Sequence, residues 1–591
     1  MFTPSDVQKV VYVVDASRAA ETLEFLRGKR KQGRPTGLTT RLFLIGALLS
    51  ALEGDGMVLK NIYDVLTRRM DFQWQVRLGI RSSVCAAPTF TQDAVDRLSV
   101  SIRDVLECGE DSASGVPAAE RADRRDALLD VIDSMLDVTL IPTRSSYRSI
   151  DATGVWAWGK SPRSGGAKAL AKEADALAAA GHADDAAVMR DVVDRMNGGK
   201  GAAEPIGGTD MSALDEEPDD GGGEPIDEVD EEQETAAATE TSGKSAHDPD
   251  ARSSGKTAKD GRTEWFYGYH LHALVRVAEP GQEYRSEPCL IERIVVTPAG
   301  REMIWASREL VERAQESEYE RMLLGDRWYS NLTEANWYSF LRQNGWDQAV
   351  DMREGDQRWT DVHGARVTAG WLHCPATPDH LERIVKPVGR RRDFFEAVEE
   401  RRRWAFDLKE EDPVAGTRRF TCPAAAGKLR CPLREGSLGV GKGLPLVANA
   451  PDADTAPRCC QNATVTVHAT DPNAKARLWQ RKYWGTKDQV AQTDRRTSVE
   501  QCFSRLKDRG ATNMTRGFVR VTGLARVTLA VGLLAVAANI RELEDWAQTH
   551  DDGRAPEHPL LQPREPWVVL CLSDERAAAF LRWEEQQADA A

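Results

Sequence analysis

In the stretch RRTSVEQCFSRLKD, Arg495 to Asp508, the apolar residues Val499, Phe503 and Leu506 recur at steps of four and three. That spacing puts them on one face of a helix. Arg496, Glu500 and Lys507 recur at steps of four and seven and form a second row beside the stripe. The whole stretch is expected as one helix, with a carboxylate in a cationic row next to the buried side. The first hundred or so residues also carry helical periodicity. TGLTTRLFLIGALLSALEG is capped by Thr39 or Thr40, LKNIYDVLTRRM follows, and APTFTQDAVDRLSVSIRDVLE is capped by Thr91. β-branched and aromatic runs mark RSIDATGVWAWG, WFYGYHLHALVRV and CLIERIVVTPAG as strands. A helix (ASRELVERAQESEYERM), a short strand (LLGDRWY) and another helix (LTEANWYSFLRQNG) come next, a mixed α/β order. From about Gln348 to Leu478 the pattern turns irregular and reads as a module lodged inside the α/β unit. The chain closes on helical segments; its longest apolar run, Val527 to Ile540, is shorter than the roughly 20 residues that cross a bilayer. It reads as a buried helix.

Composition changes this picture in two places. A chain of 591 residues exceeds one ordinary core, so two to four domains are expected. The net charge of −15 argues against a nucleic-acid partner until it is located. Residues 201–250 hold 17 acidic residues against one lysine, and removing that net of −16 leaves about +1 for the rest. This tract has almost no large apolar residues, so it is expected as a disordered, solvated insertion, or as an internal polyanion that competes with DNA for basic surfaces. An Ala-rich helical pair precedes it. The amino-terminal residues lack the basic-then-apolar plan of a secretory signal, and ten scattered cysteines form no disulfide framework. A cytoplasmic, nucleoid-associated protein with no membrane partner is expected.

Three carboxylates stand out by position: Asp151 on the first strand, Asp326 at the end of LLGDRWY, and Glu500 on the late helix. Taken singly, a capping or buried role suits either aspartate. Gathered together, the three need a cation, and Mg²⁺ takes such hard oxygen ligands. With SIDATGV, YGYHLHALV, VVTPAG, LLGDRWYSN, the Arg-x3-Glu-x6-Lys of RRTSVEQCFSRLK, and RGFVRVTGL…AANIREL, the chain resembles the DDE transposases of bacterial insertion sequences, the insertion-sequence-four type. The resemblance covers the core and final helices, reaches more loosely into MDFQWQVRLGI and PTFTQDAVDRL, and leaves the acidic tract unmatched. It implies an α/β fold with an RNase H-like mixed sheet. The core would comprise residues 140–160, 263–350 and 479–548, behind an N-terminal helical domain, 1–115, that is a candidate for binding DNA ends. Residues 161–262 would form the acidic insertion, 351–478 the inserted module and 549–591 a tail.

The resemblance further implies Asp151, Asp326 and Glu500 as catalytic ligands of two Mg²⁺ ions, with Mn²⁺ as a substitute. It implies a homodimer on DNA that cuts transposon ends and joins them to target DNA. Arg496 and Lys507 carry over as phosphate contacts. The basic run beyond them adds Arg505, Arg509, Arg516 and Arg520 as candidate backbone contacts. The signature tyrosine would stand three residues before Arg496, where this chain has Thr493; Tyr483 and neighbouring cations are the candidates to replace it. In the module, Trp359, Trp371 and Trp404 are candidates for stacking a displaced base, with core packing the plainer reading. Arg390 to Arg392 and Arg401 to Arg403 make it basic. Cys374, Cys422, Cys431, Cys459 and Cys460, near His373 and His468, could furnish Zn²⁺ ligands, but their spacing is not diagnostic and zinc is not part of the expected cofactor set. His270 and His272 share a strand face and are expected packed or hydrogen-bonded. Two alternatives stay open: an RNase H-like nuclease without strand transfer, and a catalytically inactive, transposase-derived DNA-binding protein.

Overall fold

The computed structural model describes residues 2–28, 37–159, 247–257, 263–385, 391–549 and 558–562, apart from isolated positions, with scattered residues between 171 and 190. The acidic tract up to residue 246, and most of the Ala-rich pair, lie outside the described residues.

Seven helices lead the chain: α1 (Pro4–Ser17), α2 (Ala19–Arg27), α3 (Thr40–Leu52), α4 (Leu59–Asp64), α5 (Phe72–Arg77), α6 (Gln92–Leu106) and α7 (Ala118–Thr139). α1 begins at a reciprocal cap: Asp6 N–H donates to the Thr3 hydroxyl and Thr3 N–H to the Asp6 carboxylate, both at 3.1 Å. Thr39 caps α3 by accepting the Leu42 N–H at 3.2 Å, as the sequence predicts; α6 starts after Thr91, but the Thr91 side chain makes no cap hydrogen bond. α7 was not among the expected elements, although Leu128, Val131, Ile132, Met135 and Leu136 form a buried stripe of helical period along its second half.

The sheet follows. Strand β1 (Tyr147–Trp156) pairs antiparallel with β3 (Thr263–Arg276) and parallel with β5 (Arg321–Gly325), which pairs parallel with β6 (Trp346–Val350). β2 (Arg252–Thr257), a strand not expected from the sequence, and β4 (Ile291–Pro298) share the far edge of β3. The order is β2-β3-β1-β5-β6, with β4 on β3. Between β4 and β5 lies α8 (Met303–Glu312), shorter than the helix expected through residue 322, and between β5 and β6 lies α9 (Ser339–Gln343). The fold is therefore mixed α/β.

Strand alternation assigns the two faces. Ile150, Leu274, Val295 and Leu323 point to the side covered by α8 and α9. Tyr269, Leu271, Ala273, Val275 and Leu324 join the larger core, which is continuous with the leading helices. That larger core also takes in α12 (Thr497–Lys507) and α13 (Leu524–Thr549), after α10 (Arg391–Trp404) and α11 (Lys487–Asp494). α13 packs on α3, α7 and β4. It is the one helix among the described residues long and apolar enough to span a bilayer, and 89% of its apolar window is buried inside the protein, as expected of the run Val527 to Ile540.

Charged groups fix α13 at both ends. Near its carboxyl end, Lys9 reaches Glu544 at 2.7 Å and Arg541 reaches Asp6 at 3.1 Å, tying α1 to it. At its amino end the Asp250 carboxylate accepts the Leu524 N–H at 2.9 Å, and Asp248 accepts the Gly523 N–H at 3.2 Å. These carboxylates satisfy first-turn donors that have no partner inside the helix. Asp250 also accepts the N–H groups of Asp111 and Ser112. Residues 558–562, assigned above to a tail, pack on α1 and α13, where the Gln562 carbonyl accepts from Lys9 at 2.6 Å.

The module between β6 and α11 has its own apolar core, running from Met352 to Trp484. It contains two three-stranded antiparallel sheets, β7 (Thr360–Val362) with β8 (Ala365–Thr368) and β9 (Trp371–His373), and β10 (Asp407–Asp412) with β11 (Thr417–Thr421) and β12 (Thr464–His468).

Replacing Asp250 by Ala strands the buried Leu524 N–H and two part-buried backbone donors, of Asp111 and Ser112. Thermal unfolding is expected to show a loss of about 1–3 kcal/mol. An unchanged midpoint contradicts the capping role.

Candidate active site

β1 and β5 run parallel with Tyr147 opposite Met322, Arg148 opposite Leu323 and Ser149 opposite Leu324. Two residues further in the same register, Asp151 is level with Asp326, one residue past the end of β5. Because Ile150 points to the α8 side, alternation turns Asp151 toward the face on which α12 lies. The Ser149 hydroxyl donates to the Arg496 carbonyl at 3.1 Å, and Lys507 Nζ donates to the Thr153 hydroxyl at 2.8 Å. α12 is thus held along β1. Eleven helical steps, about 16 Å, are matched by about 13 Å of strand and the reach of the lysine.

The helix begins later than the sequence predicts. Arg495 and Arg496 form the turn between α11 and α12, because α11 ends at Asp494 and the chain changes direction there. Val499, Phe503 and Leu506 are buried as expected. From its position before the first turn, Arg496 Nη1 stands 2.9 Å from Glu500 Oε1 and 3.6 Å from Asp151 Oδ2. One guanidinium therefore serves two of the three acids.

Burial, followed by the charge of Asp326, pushes the Asp151 carboxyl up to about 7; the Ala152 N–H and Arg496 offset this in part, and Glu500 adds to it. The Ala152 N–H donates to Asp151 Oδ1 at 2.7 Å. Burial likewise raises Asp326, against the pull of Arg496 and of the Trp328 N–H, which donates to Asp326 Oδ1 at 2.8 Å. Glu500 is the open member, with its side chain 54% exposed against 23% for Asp151. Two buried carboxylates that oppose each other's ionisation, beside a mobile third, are hard-oxygen donors short of positive charge. That donor chemistry fits a divalent cation. The side chains are not gathered for one as they lie: among the described residues, no group of three His, Cys, Asp or Glu is placed to hold a metal ion. Glu500 lies on Arg496 and would have to turn toward the aspartates.

The other expected contacts divide. Arg516 lies over the Trp156 ring at 4.8 Å and Arg520 over Trp158 at 4.7 Å, so both continue the line of Lys507 past the end of β1. Arg505 faces away from the carboxylates: its guanidinium pairs with Glu542 and donates to the Cys289 carbonyl at 3.3 Å. Arg509 follows α12, beyond its last residue. Thr493 donates to the Gln489 and Val490 carbonyls within α11. Tyr483 does not replace the missing tyrosine: it is buried in the module, where its hydroxyl meets His373 Nε2 at 2.6 Å and accepts from Arg401 Nε at 3.0 Å. Trp371 and Trp404 are core residues there, and Trp359 packs edge-on against His373. His272 is bonded to Thr297 and His270 accepts the Gly300 N–H, each at 3.1 Å, so both are hydrogen-bonded as expected; burial holds their pKa values down to about 3 and about 4.

Sequence reasoning passed over Ser149, Thr153, Trp156 and Trp158. The first two share the face of Asp151 by period two, which was legible. The tryptophans are tied to the arginines only through a contact between β1 and a loop more than 350 residues later. Two cavities, of about 460 Å³ beside Arg125 and Trp305 and about 350 Å³ beside Arg505 and Glu542, include none of the three acids. Compared with protein-family models, curated proteins and solved structures, the chain matches none.

In metal-free buffer the folded chain holds the Asp151 proton more tightly than the unfolded chain does. Its ionisation therefore costs stability as pH climbs from about 4 to about 7. Asp151→Asn is expected to raise the thermal midpoint at about pH 8, by the equivalent of roughly 1–3 kcal/mol, and to leave it unchanged at about pH 4. An unchanged or lower midpoint at the higher pH contradicts this electrostatic description.

Proposed function

We propose that the chain is a DNA transposase, a metal-dependent polynucleotidyl transferase acting at the ends of a mobile element. The observation that carries this reading is the level placement of Asp151 and Asp326 on neighbouring parallel strands, with the Glu500 helix bonded across the same strand. An RNase H-like core is the finer description of the mixed sheet, supported by acids borne on two strands and one late helix.

Asp151, Asp326 and Glu500 would hold Mg²⁺. When bound, that cation supplies the charge that activates water and stabilises a departing 3′ oxygen. The chain's own residues do the rest. Arg496 releases Glu500 and turns its fork to a phosphate, a geometry that suits guanidinium. Lys507, Arg516 and Arg520 grip the backbone beyond the cut, and Trp156 and Trp158 hold those arginines past the end of β1. Water oxygen bonds to phosphorus as the bond to the 3′ oxygen breaks, leaving a 3′-hydroxyl. That hydroxyl then attacks a phosphodiester of target DNA, its oxygen bonding to phosphorus as the target strand's own 3′ oxygen departs and takes up a proton. Joining two ends calls for two copies on DNA, in the cytoplasm, at the nucleoid.

A second reading, a DNA-binding protein without catalysis, is favoured by one observation: Glu500 pairs with Arg496 instead of joining the aspartates. A linear duplex bearing the element's end separates the readings. With Mg²⁺, the chain is expected to cut the end and join it to a second duplex. Asp326→Asn is expected to lose cutting by roughly a thousandfold while binding the end as before. Equal products from both proteins, or none from either, overturn the enzymatic reading. Lys507→Ala is expected to weaken DNA binding uniformly across sequences and to reduce the salt slope by about one phosphate contact; an unaltered slope removes Lys507 from the interface.

A further inference from the structure

The module holds a group of cysteines that the carboxylate chemistry does not use. Three of them open Cys-Pro turns: Cys374-Pro375, Cys422-Pro423 and Cys431-Pro432. In each, the cysteine carbonyl accepts a backbone N–H three or four residues on, from Thr377 at 3.0 Å, Ala426 at 2.8 Å and Arg434 at 2.9 Å. Turns of this kind fold the chain back over the sulfur. Burial pushes the Cys374 and Cys431 thiols up, and the Ala376 and Leu433 backbone N–H groups offset that rise only in part.

A fourth thiol, Cys460, comes from the single helical turn Arg458–Gln461. Cys374, Cys422, Cys431 and Cys460 line one cavity of about 20 Å³, walled by Phe406, Leu429 and Val447. That space admits one atom-sized occupant and no organic ligand. Arg434 lines it too, with its charge against Cys431 and Cys460. Its buried Nε has no hydrogen-bond partner. Plain core packing accounts for the burial of these cysteines. It does not account for three Cys-Pro turns and a fourth thiol around one small cavity, or for an orphaned guanidinium nitrogen beside them.

We infer that Cys374, Cys422, Cys431 and Cys460 form a structural zinc site, a closed set of four thiolates that clamps the inserted module. Zinc accepts four sulfurs tetrahedrally at about 2.3 Å. The sulfurs are not yet converged on one point, in keeping with the absence of a ready metal group among the described residues. Cys460 Sγ is turned toward Cys459 Sγ, 3.9 Å away. Rotation about the Cα–Cβ bonds brings the four onto a cavity this small. Each thiol gives up its proton to solvent on binding, and Arg434 stands ready to offset the negative charge that remains. The neighbouring histidines are not ligands: both ring nitrogens of His373 are engaged, by Trp371 and Tyr483, and His468 is exposed on β12. The clamp would join four segments whose pieces of sheet are only three to six residues long. It is independent of the magnesium chemistry proposed above.

The test is the metal content of the full-length chain, purified without chelator, with Co²⁺ exchanged for Zn²⁺ as a spectroscopic probe. About one zinc per chain and intense thiolate-to-cobalt absorption are expected. The same uptake is expected in a chain carrying Asp151→Asn, Asp326→Asn and Glu500→Gln together, and in Cys459→Ser. The pair Cys374→Ser and Cys431→Ser is expected to lose both signals. Absence of stoichiometric zinc and of the cobalt bands in the unsubstituted, folded chain overturns the proposal whatever the variants do. So does zinc that persists in the double serine variant or disappears with the carboxylates.

Discussion

Parallel pairing of β1 with β5 is the constraint on which the rest of the site depends. It sets two aspartates, 175 residues apart in sequence, level with each other at the point where β5 ends. Neither can ionise without cost to the other, because both are taken out of water on the same sheet face. The fold answers with Arg496, delivered by a turn that is itself bonded to β1 through Ser149. The same turn sets the start of α12, and hence where Glu500 and Lys507 stand.

The surroundings make that placement stiff on one side and adjustable on the other. α12 is backed by Val499, Phe503 and Leu506 in the main core, which α13 extends to the leading helices. Buried ion pairs lock α13 to α1, and acidic caps lock its other end to the segment that precedes β2. Glu500, by contrast, is largely exposed and held only by an ion pair one helical turn long. Such a pair contributes little to stability, so the carboxylate is free to exchange partners at small cost. A rigid pair of aspartates with one movable acid is a workable arrangement for the polynucleotide chemistry proposed above.

Much of this was legible in the sequence where periodicity was clean. The apolar stripe of α12, the β-branched and aromatic strands around Asp151 and His270, and the Thr39 cap all stand where the residues indicate. Most misses have physical causes. β2 is a polar edge strand, RSSGKT, whose pairing with β3 decides its conformation, whereas the stripe from Leu128 to Leu136 in α7 has helical period and was legible though passed over. Arg505 shares a basic run with Lys507, yet two helical positions separate them by about 200° around the axis, which sends Arg505 to Glu542. Tyr483 lies near the expected tyrosine in sequence but is captured by Arg401 and His373 inside the module. Strand register, unlike strand identity, could not be read at all, and it is register that levels Asp151 with Asp326.

The central claim is that Asp151, Asp326 and Glu500 act as one divalent-cation site. Titration of Mn²⁺ into the full-length chain, followed by loss of the free-ion electron paramagnetic resonance signal, tests it most directly. Mn²⁺ prefers oxygen ligands and so leaves the cysteines of the module aside. The account predicts saturable uptake by the unsubstituted chain, weakened at least about tenfold by each of Asp151→Asn, Asp326→Asn and Glu500→Gln alone. Identical uptake by all four proteins, or none by any of them, would contradict it.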